Sequence, residues 1–431
     1  MLKKIKVLTN GSFVRNVIIL ASGTAGAQVI VVASSPLITR IYGPEAFGLL
    51  GVFLAMITIV TPAAALTYPI AIVLAKNKFE AKEIIKLSLI LSILLGGLSF
   101  VLITFFQEFL INTFNIRQIA PYLFFIPLII VFGAMLQVSE QWLIRINNFK
   151  TSAKVKFNHS ILLYGSMIVI GLITPVSAVL VTLAALGNLI KSLMMTYYSL
   201  NKSLFIPLNE FKIKKEKLFL VAKEYNDFPK YRAPQEVINA ASKSLPIIML
   251  STFFGPAAAG FYSIGNTVLK MPSQLIAKSV GDVFYPRITK ASFSNEKITP
   301  LMLKATMALI LVGIIPFGII IAFGPPLFDF IFGNDWYKAG EYARWIAIAS
   351  FFSFINRPSV KSLPALKAQR FHLLHEIASV ILRVIALVIG FVIFENDMIA
   401  VVLFSVVGAL LSVYLIVYSI VLAKREDEKI S

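Results

Sequence analysis

Six basic residues fall inside the most apolar stretches of this 431-residue chain. They are Lys191, Lys243, Lys270, Lys278, Arg357 and Arg383. A lysine or arginine at the centre of a membrane-spanning helix costs about 2.5–3.5 kcal/mol on insertion scales. Such residues are therefore expected to face a hydrated cavity or a polar partner rather than lipid. A group of cations in that setting is suited to binding an anion.

The predicted helix 257–285 carries a polar residue at every fourth position, namely Asn266, Lys270, Gln274, Lys278 and Asp282. Four residues turn a helix by about 400°, so each step drifts by only about 40° and the five residues form one slowly winding polar stripe. Three other predicted helices have a similar face: Gln235, Asn239 and Lys243 in 233–254; Ser350, Ser353, Arg357 and Lys361 in 342–364; His372, His375, Glu376, Ser379 and Arg383 in 372–394. Together these faces predict a hydrated, cationic interior.

Purely structural roles remain open for some of these residues. Lys278 and Asp282 can pair across one helical turn near the membrane interface. Arg357 and Lys191 lie in the inner halves of their helices and can extend toward the interface. Lys243 lies nearer mid-helix, as does Lys270, which favours a cavity role for both.

Glu376 also has two explanations. It can neutralise Arg383 or His372 on the same helix, or it can be a titrating group inside the cavity. With Asp282, it is one of two candidates for coupling transport to an ion, although no motif in the sequence indicates such coupling.

The overall composition excludes an ordinary soluble enzyme. Hydrophobic residues make up 58% of the chain, charged residues only 14%, and the mean hydropathy is +0.84. A soluble domain is about 45–50% apolar and about 25% charged. The chain has no cysteine, which removes thiol catalysis, iron–sulfur clusters and cysteine-type zinc sites.

The sequence predicts an all-α integral membrane fold with twelve transmembrane helices, because lipid cannot satisfy the polar groups of irregular backbone. The predicted ranges are 16–39, 46–75, 84–106, 121–144, 157–174, 177–199, 233–254, 257–285, 300–323, 342–364, 372–394 and 398–422. One predicted interruption is the turn Gly324-Pro325-Pro326. The connections leave no room for a soluble catalytic domain.

The placement of lysine and arginine predicts the orientation of the chain. Thirty of them lie in segments on the side of the N-terminus, and the opposite loops hold only Arg40, Arg117, Lys338 and Arg344. This bias places both termini in the cytoplasm. It also explains most of the formal net charge of +19, so nucleic acid is not predicted as a partner.

A polar segment and a short internal repeat predict two halves. The first half has Pro36, Gly43-Pro44, Gly48 and Pro62, and the second has Pro246, Gly255-Pro256, Gly260 and Pro272 at similar spacing. The predicted domains are a six-helix bundle at 1–200, a basic cytoplasmic linker at 201–232 and a second six-helix bundle at 233–431. Because six is even, the repeat is parallel, and a central cavity between the bundles is expected.

The sequence has no recognisable motif for catalysis. It contains no Gly-Lys-Ser/Thr phosphate-binding loop, and His375-Glu376 lacks the second histidine of a zinc-protease motif because Ser379 stands in its place. The sequence therefore predicts no enzymatic activity, no cofactor and no metal site.

Three segments carry a family resemblance: SSPLITRIYGPEAFG at 34–48, FGPAAAGFY at 254–262 and FGNDWYKAGEY at 332–342. They resemble outer segments of bacterial O-antigen and polysaccharide-export flippases, which belong to the multidrug/oligosaccharidyl-lipid/polysaccharide exporter superfamily. The similarity runs in order over essentially the whole chain. It implies two six-helix bundles that rock about a central cavity in the bacterial inner membrane.

The resemblance also implies a substrate, a polyprenyl-diphosphate-linked oligosaccharide of the kind used for O-antigen and lipopolysaccharide, moved from the cytoplasmic to the outer leaflet. Expected partners are this lipid-linked glycan, membrane lipid and other polysaccharide-assembly proteins. On the stripe argument, the cations expected to meet the diphosphate are Lys243, Lys270, Lys278, Arg357 and Arg383, and Lys191 is a further candidate for substrate binding. The polar groups expected to meet the sugar are Asn239, Asn266 and Gln274. A multidrug or metabolite antiporter of the same architecture is the main alternative, and a membrane-embedded glycan polymerase or ligase is another.

Overall fold

The structure is a computed structural model, which describes residues 12–114, 117–200, 215–272 and 296–428, together with Phe284, Arg287, Ile288 and Ala291. Among these residues, side chains are described from residue 26 onward, except those of Phe114, Met271 and Pro272. The described residues form helices and connecting turns, with no β-strand among them. Contacts group the chain into two compact units, Met1–Ile248 and Met249–Ser431. The twelve-helix count, the linker and the parallel repeat of two bundles remain predictions.

The first unit contains helices α1 Ser12–Val60, α2 Lys78–Phe114, α3 Phe125–Arg145, α4 Phe149–Ile173, α5 Ser177–Ser199, α6 Lys215–Glu224 and most of α7 Ala233–Phe254. The helix α1 is interrupted at Gly43, whose φ of 69° and ψ of 174° suit glycine and hardly any other residue. Pro44 follows directly and starts the second part of α1. Short 3₁₀ turns at Thr61–Ala63, Tyr68–Val73 and Arg117–Phe124 and a π-helical turn at Phe228–Arg232 complete this unit.

The second unit contains the end of α7, then α8 Pro256–Pro272, α9 Ile298–Phe332, α10 Tyr337–Ile355, α11 Arg357–Ser362, α12 Gln369–Val392 and α13 Asp397–Glu428. The pairs α9–α10, α10–α13 and α12–α13 pack along their lengths. At the end of the unit, the Asp427 carboxylate accepts hydrogen bonds from the backbone N–H groups of Ile298 (2.6 Å) and Thr299 (2.9 Å), which caps the start of α9.

The protein is a multi-pass membrane protein. Nine helices in the described part of the chain are long and apolar enough to cross a membrane. Large apolar side chains such as Ile93 and Phe105 are exposed on α2, as expected of a surface that meets lipid. Two predicted helices, 177–199 and 233–254, coincide with α5 and α7.

The prediction of a continuous helix at 46–75 is wrong. The α-helix ends at Val60, and two 3₁₀ turns follow. Leu66 and Thr67 between these turns have φ values of 49° and 58°, outside the right-handed helical region. Pro69 also lies in the second turn and has no N–H to donate to a helical ladder.

The predicted turn at Gly324-Pro325-Pro326 is also wrong, because α9 continues through it to Phe332. Pro325 lacks the N–H that the Ile321 carbonyl would accept four residues earlier. The Arg344 side chain on α10 replaces it, donating from Nε to the Ile321 carbonyl at 2.8 Å. This partner from a neighbouring helix lets the proline remain inside the helix.

The predicted helix 342–364 is broken near its end. The helix α10 stops at Ile355, and the separate short helix α11 begins at Arg357 with Pro358 at its second position. Because proline fits the first turn of a helix and disrupts its interior, Pro358 favours this restart.

Candidate functional site

The polar face of α12 turns toward α13 in the second unit. His375 and Ser379 are buried there, and the His375 Nε2 atom lies 3.1 Å from the Leu411 carbonyl oxygen. The His375 ring stacks on Tyr414 with a centroid distance of 6.2 Å. Arg383 lies one turn beyond Ser379 on the same helix face, as the predicted stripe requires.

Arg383 lies in largely apolar surroundings between α12 and α13. The guanidinium carbon is 5.7 Å from the centroid of the Phe404 ring, a cation–π arrangement. Tyr262 of α8 is buried, packs edge-on against Phe404 at 6.2 Å and interacts electrostatically with Arg383. Gly408 leaves the space in which the guanidinium lies, because a Cβ atom there would be only 3.2 Å from Arg383 Nε.

The guanidinium of Arg383 has a buried hydrogen-bond donor that is not used. Its Nε–H is buried and has no hydrogen-bond partner among the residues that the structure describes, and no carboxylate in that part of the chain lies within ion-pair distance. Glu376, two turns earlier on α12, lies 3.6 Å from His372 instead. A buried donor on a charged group is costly when it is left without an acceptor. This geometry is suited to receiving an oxyanion.

The other candidates in the second unit are distributed over several helices. Asn266 is half-buried and Lys270 is exposed, both on α8, and Arg357 is exposed at the first position of α11. Glu376 is exposed on α12. Three predicted site residues lie outside the described residues: Gln274, Lys278 and Asp282.

Lys191 in the first unit belongs to a cluster of charged residues. It is half-buried on α5 and interacts electrostatically with Glu140 of α3 and Lys156 of α4, which pair with each other at 3.2 Å. On the same face of α4, His159 Nε2 lies 2.8 Å from the Gly187 carbonyl oxygen. Lys191 therefore shares one carboxylate with a second lysine.

Asn239 and Lys243 lie one turn apart on α7, and both side chains are exposed. Lys243 has no ion pair or hydrogen bond within the described residues. The helix α7 is among those long and apolar enough to cross a membrane, and Lys243 lies near the middle of that helix.

Sequence reasoning missed three residues around Arg383: Tyr262, Phe404 and Gly408. A signal for one of them exists in α13, where Ser405, Gly408 and Ser412 recur at helical spacing and are buried. Small residues on one face of a membrane helix indicate close packing against a neighbour. Tyr262 ends the segment FGPAAAGFY, which carries the family resemblance but gave it no role in a site. Phe404 has no signal, since phenylalanine is common throughout this chain.

The described residues contain no group of three or more histidine or acidic side chains that could hold a metal ion. His372 and Glu376 approach each other on one face of α12, while the His375 ring lies against α13 instead.

Comparison with known proteins places the chain in a family. Residues 37–341 match the family described as polysaccharide biosynthesis protein. The succinoglycan biosynthesis transport protein ExoT of Rhizobium meliloti (strain 1021) is 25% identical over 115 residues, which is 26% of this chain and 23% of that relative. The match thus spans about a quarter of the relative's length.

Solved structures of low sequence identity share the fold. The lipid II flippase MurJ in an inward closed conformation aligns with a TM-score of 0.73 at 15% identity, covering 96% of this chain and 90% of that one. An inward-facing multidrug resistance transporter of the MATE family aligns with a TM-score of 0.72 at 13% identity, covering 93% and 96%. A transporter of the MOP superfamily from Pyrococcus furiosus aligns with a TM-score of 0.59 at 13% identity, covering 96% of this chain and 95% of that one.

The helical architecture and the solved structures that share it define a multi-pass membrane protein with the fold of the multidrug/oligosaccharidyl-lipid/polysaccharide exporter superfamily. Within that class, the chain belongs to the polysaccharide biosynthesis protein family.

Proposed function

We propose that this protein is a flippase that moves a polyprenyl-diphosphate-linked oligosaccharide from the cytoplasmic to the outer leaflet of the bacterial inner membrane. The family and the fold support this class of substrate, because one relative is named a succinoglycan transport protein and one structural neighbour a lipid II flippase. The glycan proposed is a surface polysaccharide unit such as O-antigen of lipopolysaccharide. Both termini are proposed to be cytoplasmic.

The environment of Arg383 carries the proposal. A diphosphate at membrane depth needs a cation and hydrogen-bond donors, since an unpaired anion in a low dielectric is costly. Arg383 has a buried Nε–H without a described acceptor, and its planar fork suits phosphate oxygens. Phe404 and Tyr262 hold the guanidinium between three helices, so it is positioned before the substrate arrives.

The remaining polar candidates are proposed to contact different parts of the substrate. Lys243 and Lys270 add positive charge for the diphosphate, together with Lys191, Lys278 and Arg357. The amides of Asn239, Asn266 and Gln274 offer donors and acceptors for the sugar. The polyprenyl tail stays in the bilayer while the polar head crosses by alternating access of two bundles.

The membrane potential provides a driving force in this mechanism. The cell interior is negative, and moving one negative charge outward across the full field is favoured by about 2.3 kcal/mol per 100 mV. Ion coupling through Asp282 or Glu376 is a further proposed contribution. Flipping in reconstituted vesicles under membrane potentials of opposite sign tests the role of the potential. Equal flipping rates under both signs would show that the potential does not drive transport.

The central experiment replaces Arg383 by Gln and by Lys in a strain that lacks the native gene. We expect R383Q to reduce surface-glycan export at least tenfold and R383K to retain an intermediate level, since lysine keeps the charge but loses the fork. Arg117→Gln is the matched control, because Arg117 is exposed in a turn. Normal export by R383Q at an unchanged protein level would refute this role.

A multidrug antiporter is the second candidate, favoured by the structural similarity to a multidrug resistance transporter. The two functions predict different phenotypes for a deletion strain. Loss of surface glycan with unchanged drug sensitivity supports the flippase. Increased drug sensitivity with intact glycan supports the antiporter.

A further inference from the structure

The short helix α6 docks one face on the first unit. Val221 is only 7% exposed and packs in a hydrophobic cluster with Ile84, Ile85 and other residues of α2, α3 and the turn Tyr68–Val73. Leu218 and Ala222, on the same face of α6, pack against this cluster. The chain segment between α5 and α7 is thus fixed to the helical unit at α6.

Polar contacts secure the C-terminal end of α6. The Tyr68 hydroxyl donates to the Ala222 carbonyl at 3.1 Å. Lys76 pairs with Glu224 at 2.7 Å. The Tyr225 hydroxyl, directly after the helix, donates to a carboxylate oxygen of Glu80 at 3.0 Å. These bonds add to the apolar packing that holds α6 on the first unit.

The opposite face of α6 exposes two large apolar side chains. Phe219 is 69% exposed and Leu220 is 64% exposed. Lys223 lies one turn after them, and Lys215 and Lys217 lie at the start of the helix. An apolar pair bordered by lysines is the pattern of helices that lie in the plane of a membrane interface.

The docking site also bears on the depth of α6. It packs beside Ala81, Ile84 and Ile85 of α2, and a run without charged residues begins at Leu87 of that helix. At 1.5 Å per residue, these contacts lie about 3–9 Å along the helix from the start of that run. We take the uncharged run as the part of α2 that crosses the hydrocarbon core, which puts these contacts in the headgroup region. The exposed face of α6 is then available to lipid headgroups.

The charge of the segment complements an anionic headgroup layer. Residues 202–232 contain eight lysines and arginines against four acidic residues. Of the four acids, Glu224 is neutralised by Lys76. The remaining positive charge attracts anionic lipid, while Phe219 and Leu220 provide the apolar contact.

We propose that the exposed face of α6, centred on Phe219 and Leu220, docks on anionic phospholipid at the membrane interface. The inner face of α6 holds the first unit, so the helix joins that unit to the lipid surface. This inference depends on the membrane setting of the fold and not on the identity of the transported substrate.

The absence of cysteine from the sequence allows a direct test in the full-length protein. Nitroxide labels are placed on F219C, L220C and, as a water-exposed control, E428C in the last helix. The protein is reconstituted in vesicles of phosphatidylglycerol with phosphatidylcholine and in phosphatidylcholine alone. Collisions of each label with oxygen and with a water-soluble nickel chelate are then measured.

We expect the oxygen-to-nickel accessibility ratio at 219 and 220 to exceed that at 428 at least threefold in anionic vesicles. The ratio should fall in phosphatidylcholine alone and in the triple variant K215Q/K217Q/K223Q. Ratios equal to that at 428 in anionic vesicles would overturn the proposal. Protection that vanishes when the protein is diluted in lipid would assign the face to a second copy and would also overturn it.

A second probe guards against disturbance by the labels. In L220W, the fluorescence added to that of the three native tryptophans should be quenched by brominated phosphatidylglycerol, with the wild-type protein measured in the same lipid as the reference. An added signal that is not quenched, in a variant with the wild-type melting temperature, would contradict the proposal. Because no step of this experiment uses the glycan, its failure is distinguishable from failure of the proposed flippase activity.

Discussion

Gly408 of α13 lies directly beneath the guanidinium of Arg383, so that a Cβ atom on Gly408 would be 3.2 Å from Nε and 3.3 Å from Cζ. The guanidinium also lies 5.7 Å from the Phe404 ring centroid. One glycine and one aromatic ring on α13 thus set the position of a cation on α12.

The first prediction concerns this space. Gly408→Ala pushes the guanidinium aside by a few tenths of an ångström, which a flexible side chain tolerates, so folding is retained. If Arg383 binds the diphosphate, we expect export to fall about three- to tenfold, because small displacements of a binding group are costly. Surface-glycan assays at matched protein level measure this loss of export. Gly97→Ala is the control, since nothing lies within 4 Å of a Cβ there.

A second prediction concerns Pro325 inside α9. Arg344→Met removes the donor to the Ile321 carbonyl and should destabilise the protein by about 1 kcal/mol, since the bond is partly solvated. Pro325→Ala restores a backbone N–H for the same carbonyl. The cost of Arg344→Met should therefore shrink in the Pro325→Ala background, as a double-mutant cycle of melting temperatures in detergent would reveal. Equal costs in both backgrounds would disprove the link.

A third prediction follows from the close approach of α9 and α10. A Cβ atom on Gly340 would lie 2.5 Å from the Gly324 carbonyl oxygen and from Pro325 Cα, which are backbone atoms that cannot move independently. Gly340→Ala should therefore cost about 3 kcal/mol, at the upper end of the range for overpacking. Gly318→Ala on α9 meets nothing within 4 Å and should leave the melting temperature almost unchanged. A similar stability for the two variants would contradict this packing.

A fourth prediction concerns pH. Burial and the hydrogen bond to Glu80 raise the pKa of Tyr225 from 10.0 to about 12. Because the folded state holds this proton more tightly, protonated Tyr225 contributes to the free energy of unfolding. This contribution is complete below pH 10 and is lost as the pH rises toward 12. The melting temperature of wild type should exceed that of Tyr225→Phe below pH 10, and the difference should close between pH 10 and 12. A constant difference over that interval would show that Tyr225 does not titrate there.

Much of the fold could be predicted from local sequence. The helices α5 and α7 coincide with their predicted ranges because apolar runs bounded by proline, glycine and polar residues are local signals. The errors at 61–75 and at Gly324-Pro325-Pro326 come from features that these local signals do not encode. Leu66 and Thr67 leave the right-handed helical region and end the first helix early. At Pro325, the Arg344 side chain of α10 replaces the missing N–H and lets α9 continue.

The candidate site was predictable in outline only. The four-residue spacing on 372–394 placed His375, Ser379 and Arg383 on one face, and the structure turns that face toward α13. Glu376 on the same helix is exposed beside His372 rather than paired with Arg383. The sequence offered both partners for this glutamate and no means of choosing between them.

Local sequence is enough to predict a helical, multi-pass membrane protein with basic residues inside its apolar segments. Hydropathy and the need of the backbone for hydrogen bonds in lipid are properties of each segment and need no knowledge of its neighbours. The contacts of the folded chain were needed to show that no described carboxylate lies within ion-pair distance of Arg383, and that α6 docks beside the start of α2. Both depend on contacts between residues far apart in the chain, such as Tyr225 with Glu80, which no local pattern encodes.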